Sequence, residues 1–250
     1  MTLERILVLL LFGYPVPAEM LDPRFPAFLQ RAGGLWLTLL VTLVSLSSGA
    51  CLGLALALAR RTLSARAREN HPFPLAADAG RYLAAVIVEG IRGLPIMVIV
   101  LLTFHLPYRF GGLRLPAFML ATVAFSLYAG VYVCETVRAG LQSIGAELQE
   151  AGRVLGLTPR QILLRIELPL VWRVMLPDFI GLAVTVFKDT STLAIVAVGE
   201  LTYVGRQMLM SEPVNYGLVL FVILVLYWVP ASLLSGYASR VAQRHAQRWS

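Results

Sequence analysis

Residues 35–59, LWLTLLVTLVSLSSGACLGLALALA, contain no charged side chain, and the run stops at Arg60-Arg61. About 20 apolar residues suffice for an α-helix to cross the hydrocarbon core of a bilayer. This stretch is long enough, and cations close it where polar headgroups begin. Two other stretches read the same way. Leu115–Cys134 is free of charge and ends against Glu135 and Arg138, and Tyr216–Ser239 is closed by Arg240 and Arg244.

The composition agrees. The 250 residues are 58% hydrophobic and 14% charged, against about 25% charged for a soluble domain, so much of the surface must face something other than water. The net charge of +7 does not indicate nucleic acid, because the basic residues sit at the ends of apolar runs and not on a soluble face. Cys51 and Cys134 both lie inside apolar runs, so a disulfide scaffold is not expected. Ile6–Phe12 is too short to span and reads as an interfacial anchor.

Two further segments are long enough but interrupted. Tyr82–Phe104 contains Glu89, Arg92 and Pro95; Val174–Val198 contains Pro177, Asp178, Lys188 and Asp189. Charges at bilayer depth persist when they face protein or water, and broken, polar helices are where transporters place their pathways. Five spans result, at about 35–59, 82–104, 115–137, 174–198 and 216–239. With the N-terminus outside, the inner segments hold Arg60, Arg61, Arg66, Arg68, Arg81, Arg138, Arg153, Arg160, Arg165, Arg173, Arg240, Arg244 and Arg248. The outer ones hold Arg5, Arg24, Arg31, Arg109, Arg114 and Arg206. The positive-inside rule therefore selects N-out, C-in. The expected fold is an all-α polytopic membrane protein of the bacterial cytoplasmic membrane. An extracytoplasmic or interfacial segment (1–32) precedes a transmembrane domain (33–240) and a cytoplasmic tail (241–250). Ser64–Arg81 reads as a plain linker.

The inner segment 146–169 is too polar to span. Thr158, Pro159 and Gln161 mark a helix start, with Thr158 as N-cap, Pro159 at the first helical position and Gln161 closing a capping box. Leu157 and Ile162 stand at the positions of a hydrophobic staple, and Pro169 is expected to end this helix. Ala146–Leu155 reads as a preceding short helix, with Gly156 in the turn. Such a protrusion either lies on the lipid interface or docks into another protein's groove. Physical reasoning alone leaves both open.

Glu150-Ala151-Gly152, three residues, Gly156, nine residues, Ile166, one residue, Leu168-Pro169 resembles the EAA loop of ABC import permeases. Gly152 stands where that pattern usually has a second alanine. Glu89 with Arg92-Gly93-Leu94-Pro95 resembles the R-G-T-P stretch of the polar amino acid permeases, the histidine, glutamate and glutamine type. Tyr132, Glu135, Arg138 and Gly140 resemble that family's A-Y-x-x-E-x-x-R-G segment, and Lys188-Asp189-Thr190-Ser191-Thr192-Leu193 with Glu200-Leu201 its K-D-T-S-L…E-L segment.

The resemblance implies a MetI-like permease fold in which Glu150, Ala151, Gly152, Gly156, Leu157, Thr158 and Pro169 couple to a cytoplasmic ABC ATPase dimer. It also implies a second permease subunit, identical or paralogous, an extracytoplasmic solute-binding protein, and alternating access for a polar amino acid. The candidate pathway or gate residues are Glu89, Arg92, Pro95, Glu135, Lys188, Asp189, Thr190 and Ser191. Each has a structural reading beside it: Glu89 and Arg92, three residues apart, are placed to neutralise one another, and Glu135 and Arg138 to anchor an inner helix end. No glycine-rich phosphate loop is present and the sole lysine, Lys188, lies in a membrane segment. ATP-Mg is therefore expected on the partner, with no cofactor or metal held by this chain and no enzymatic site of its own. A permease for another small solute, or a passive channel, are the competing readings. Intramembrane proteolysis would need a serine–histidine pair at one depth, and no histidine lies within a span.

Overall fold

In the computed structural model, residues 2–14, 33–68, 74–112, 115–211 and 213–246 are described. Arg24, Arg31, Arg114, Arg248, His71 and Pro72 lie outside them. The helices in chain order are α1 (Leu3–Phe12), α2 (Gly34–Arg68), α3 (Pro74–Arg92), α4 (Ile96–Gly111), α5 (Ala117–Ser143), α6 (Ala146–Val154), α7 (Pro159–Ile162), α8 (Leu168–Asp189), α9 (Leu201–Ser211) and α10 (Tyr216–Ala246). A π turn, Leu163–Glu167, joins α7 to α8, and a 3₁₀ segment, Thr190–Val196, follows α8. No strand occurs among the described residues, although Gly34 and Glu200 form an isolated bridge.

Among the described residues, four helical stretches are long and apolar enough to cross a membrane: Gly34–Arg60, Ala117–Ser143, Pro159–Val196 and Tyr216–Gln243. The expected second span, 82–104, is not one straight helix. Tyr82–Arg92 and Ile96–Gly111 meet at 106° and make a fifth span only as a bent pair. The break has a local cause. Pro95 has no N–H to donate and drives Leu94 out of the helical region. The chain turns through Gly93, whose N–H still reaches the Glu89 carbonyl at 2.9 Å.

Three other expectations change. The helices enter the supposed linker 64–81 from both sides, α2 running to Arg68 and α3 starting at Pro74, where a proline fits the first turn. Pro169 does not stop the second helix of the inner loop. The chain passes through the wider π turn directly ahead of it and continues as α8, which relieves the clash a proline ring makes with the preceding turn. Ile6–Phe12 is more than a lipid anchor, because α1 buries Ile6 and Leu10 completely against Leu201, Val204 and Met208 of α9 and Val219 of α10.

Two clusters fill the bundle along α5. On the α4 side, Phe125, Tyr128 and Ala129 pack with Val41, Ile99, Val100 and Leu193. Toward the inner end, Val131, Cys134 and Val137 pack with Ala57, Val88, Val171 and Met175. The α2–α5 contact is close because it is built on small residues; a Cβ at Gly53 would stand 2.4 Å from the Gly130 carbonyl oxygen.

Candidate functional site

Two regions draw the candidate residues together. The first is the cytoplasmic corner. Thr158 caps α7 as expected: its hydroxyl accepts the Gln161 N–H at 3.3 Å while the Gln161 side chain accepts the Thr158 N–H at 2.8 Å. The preceding helix closes with two further bonds, Gly156 N–H to the Arg153 carbonyl at 2.9 Å and Leu157 N–H to the Gly152 carbonyl at 3.0 Å. This is a Schellman ending, which demands a left-handed residue at the position of Gly156, and Gly156 has φ +73°. Gly152 has a packing role the sequence did not disclose, since a Cβ there would meet Ile162 at 2.9 Å. Glu150, Ala151, Gly156, Thr158 and Pro169 are exposed, Leu157 is half-buried and Gly152 is buried. The tip also presents Val154 and Leu155, 87% and 76% exposed. Neither was singled out from the sequence. Their signal is an apolar pair at the end of a helix that is otherwise polar.

The second region is a polar track along α5. Glu135 accepts a bond from Arg138 Nε at 2.7 Å and another from Arg60 Nη1, and Arg92 Nη1 approaches it to 3.9 Å. Arg92 also reaches Glu89 at 3.3 Å. Three guanidiniums from α2, α3 and α5 thus meet one carboxylate beside the α3–α4 bend, with Pro95 exposed at that bend. The Arg92 guanidinium stands 5.7 Å from the centre of the Tyr132 ring, within the range of a cation–π contact. Tyr132 in turn packs on Tyr128 at 4.8 Å between centroids. The track thus runs from the arginine cluster along α5 to Tyr128. Tyr128, Tyr132 and Glu135 occupy one helical stripe at i, i+4 and i+7, a pattern from which Tyr128 could have been found.

The four residues expected at the end of α8 have unlike settings. Lys188 is exposed, Asp189 and Ser191 are half-buried, and Thr190 is buried with its hydroxyl donating to the Phe187 carbonyl at 2.7 Å. No group of three or more metal-ligating side chains occurs among the described residues.

Glu200, not among the expected site residues, is fully buried. It accepts the N–H groups of Thr202 at 2.9 Å and Tyr203 at 2.7 Å, and the Tyr227 hydroxyl at 2.9 Å. Nearby, the Gly34 N–H donates to the Gly199 carbonyl at 2.8 Å and the Leu201 N–H to the Thr38 hydroxyl at 3.3 Å. The loop after the 3₁₀ segment is therefore fastened to α2, α9 and α10 at once.

Residues 76–246 match the model of the binding-protein-dependent transport system inner membrane component family. The chain belongs to that family. Among curated relatives of this inner membrane component, the L-cystine transport system permease protein TcyB of Bacillus subtilis is 31% identical over 96% of this chain and 95% of its own length. The glutamine transport system permease protein GlnP of Escherichia coli is 31% identical over 74% of this chain and 79% of its own. Among solved structures, the crystal structure of an amino acid ABC transporter with histidines superposes with a TM-score of 0.71 at 25% identity, covering 84% of this chain and 92% of that one. An inward-facing MetNI methionine ABC transporter shares the fold at a TM-score of 0.64 and 22% identity, over 84% and 93%. The inner membrane component is thus a multi-pass transport subunit of an ABC importer with the fold the resemblance implied.

Proposed function

We propose that this chain carries a polar amino acid across the cytoplasmic membrane, driven by a separate ABC ATPase dimer that docks on the α6–α7 corner and binds the ATP-Mg. The observation that carries this reading is the continuity of one helical stretch. Pro159–Val196 begins at the capped cytoplasmic corner and carries Lys188, Asp189, Thr190 and Ser191 toward its far end, so a push on the corner is delivered to polar groups at bilayer depth. Glu150, Ala151, Gly156, Val154 and Leu155 offer the ATPase an exposed surface of mixed polarity. Gly152 and Thr158 hold that surface in shape.

On this reading the pathway runs past Lys188 and Asp189, Tyr128 and Tyr132, to Arg92, Glu89 and Glu135. Charges of both signs suit a zwitterionic solute, and Pro95 sets the bend that brings Arg92 to Glu135. The relatives named for cystine and glutamine favour an amino acid over other small solutes. A solute-binding protein delivers the cargo outside, a second permease subunit completes the pathway, and the cycle alternates access between the two sides. Uptake of a panel of labelled amino acids by cells lacking this chain tests the substrate class, with loss for one or a few of them expected and unchanged uptake for all of them refuting it. Purification of the chain from native membranes tests the partner, because an ABC ATPase must accompany it.

A further inference from the structure

Between α2, α5 and α8 lies a cavity of about 430 Å³ whose walls include Cys51, Leu54, Val137, Leu168, Trp172 and Phe179. All six fall within the apolar stretches Gly34–Arg60, Ala117–Ser143 and Pro159–Val196, so the groove is at bilayer depth. Cys51 and Leu54 precede Arg60 by nine and six residues, about 9–14 Å along a helix, which places this wall in the cytoplasmic leaflet. Unfilled space at this depth forfeits packing contacts on every lining atom, and two occupants are at hand: an acyl chain or an apolar helix face.

The rim decides between them. Leu164, Leu168 and Trp172 recur every fourth residue and line the cavity. Arg165, Pro169 and Arg173 form the adjacent row, and all three are exposed. Among the described residues neither arginine has an ion-pair or hydrogen-bond partner. Trp172 is 52% exposed, an amphipathic ring of the kind that settles at headgroup level. A second protein helix seated here would cover two guanidiniums without neutralising them, at a cost that unpaired charge always carries. A phosphate would pair with both, since guanidinium binds phosphate in a planar, two-pronged fashion.

We infer that this groove binds a phospholipid of the cytoplasmic leaflet with an anionic headgroup, its acyl chain between α2, α5 and α8 and its phosphate between Arg165 and Arg173. Basic pockets between spans on the cytoplasmic side have the charge and position for such headgroups. The chain would lie against Met175 and Phe179, on the membrane side of Trp172.

Native mass spectrometry of the purified transporter, delipidated and then titrated with phosphatidylglycerol or phosphatidylcholine, tests the assignment. Phosphatidylglycerol is retained in preference to phosphatidylcholine, and retention falls about 30-fold in an R165Q/R173Q double variant, the factor two guanidiniums near the membrane surface supply together. A C51F variant, which fills the groove and leaves both arginines in place, also loses retention, whereas glycerol phosphate does not displace the lipid. Equal retention of the two lipids, retention indifferent to both variants, or displacement by glycerol phosphate alone each overturns the proposal. So does protection of Cys51 from maleimide in the lipid-free assembly, which would mean that a second chain already fills the groove.

Discussion

The Tyr227 hydroxyl donates to the Glu200 carboxylate at 2.9 Å, joining the middle of α10 to the start of α9. The same carboxylate accepts two N–H groups from the first turn of α9, so it acts as that helix's cap. A hydrogen bond to a charged group is worth about 1.5–3 kcal/mol. Tyr227→Phe therefore lowers the thermal midpoint of the purified protein by several degrees, at about 2–4 °C per kcal/mol for a chain of this size. Glu200→Ala lowers it further, because it uncaps α9 as well. Equal midpoints for wild type and Tyr227→Phe would refute the clasp.

Glu200 also sets a pH dependence. Burial, the largest influence, pushes its pKa from 4.5 up to about 7, against the pull of the Thr202 and Tyr203 N–H groups and the Tyr227 hydroxyl. A carboxyl raised in the folded state binds more protons there than in the unfolded chain. Its contribution to stability is complete below about pH 4.5 and disappears as pH rises through about 7. Thermal midpoints measured across this window fall with rising pH, and the Glu200→Gln variant shows a flatter profile. An identical slope in both proteins would remove the assignment.

Glu135 and Glu89 differ sharply although both pair with arginine. Glu135 is 11% exposed and faces three guanidiniums, whereas Glu89 is 61% exposed. Glu135→Gln leaves Arg60, Arg92 and Arg138 to repel one another and costs about 1–3 kcal/mol. Glu89→Gln costs no more than about 1 kcal/mol, the range for surface pairs. The double variant E135Q/R60Q recovers part of the loss, because it removes one of the stranded cations. Unfolding of the three variants in detergent, side by side, measures the difference.

At the corner, V154D/L155D leaves membrane insertion at the wild-type level and abolishes co-purification of the ATPase. Gly156→Ala forces a side chain into the left-handed region at about 1–2 kcal/mol and weakens coupling by distorting the corner. Co-purification that survives both changes would place the ATPase elsewhere.

Lys188→Ala assembles with its partners and retains ATPase activity but loses solute uptake. Wild-type uptake by that variant would exclude Lys188 from the pathway.

The spans and the corner were legible because their signals are local. An uncharged run bounded by arginine, or a Thr-Pro-x-Gln cap, needs no knowledge of the rest of the chain. What was not legible depends on long-range geometry. Pro95 and Pro169 are both prolines in apolar surroundings, yet one breaks its helix at 106° and the other is absorbed by a π turn. Sequence spacing does not distinguish these outcomes, because the difference lies in whether five residues upstream can open into a wider turn. Glu200 was visible as a residue but not as a site, since Tyr227 reaches it, and Thr38 its neighbour Leu201, from helices distant in sequence. The same holds for Arg60, read as a span boundary and found bonded to Glu135.

The 3₁₀ segment Thr190–Val196 ends at Ala197, which has φ +58°, a conformation that a side chain bearing a Cβ rarely adopts. Seven residues wound as a 3₁₀ helix rise about 14 Å, against about 10.5 Å as an α-helix. Rewinding this stretch would shorten it by roughly the diameter of a methyl group, drawing Lys188 and the Glu200 clasp toward each other. A few ångströms of travel could thus be stored in helical pitch alone, with no domain needing to swing.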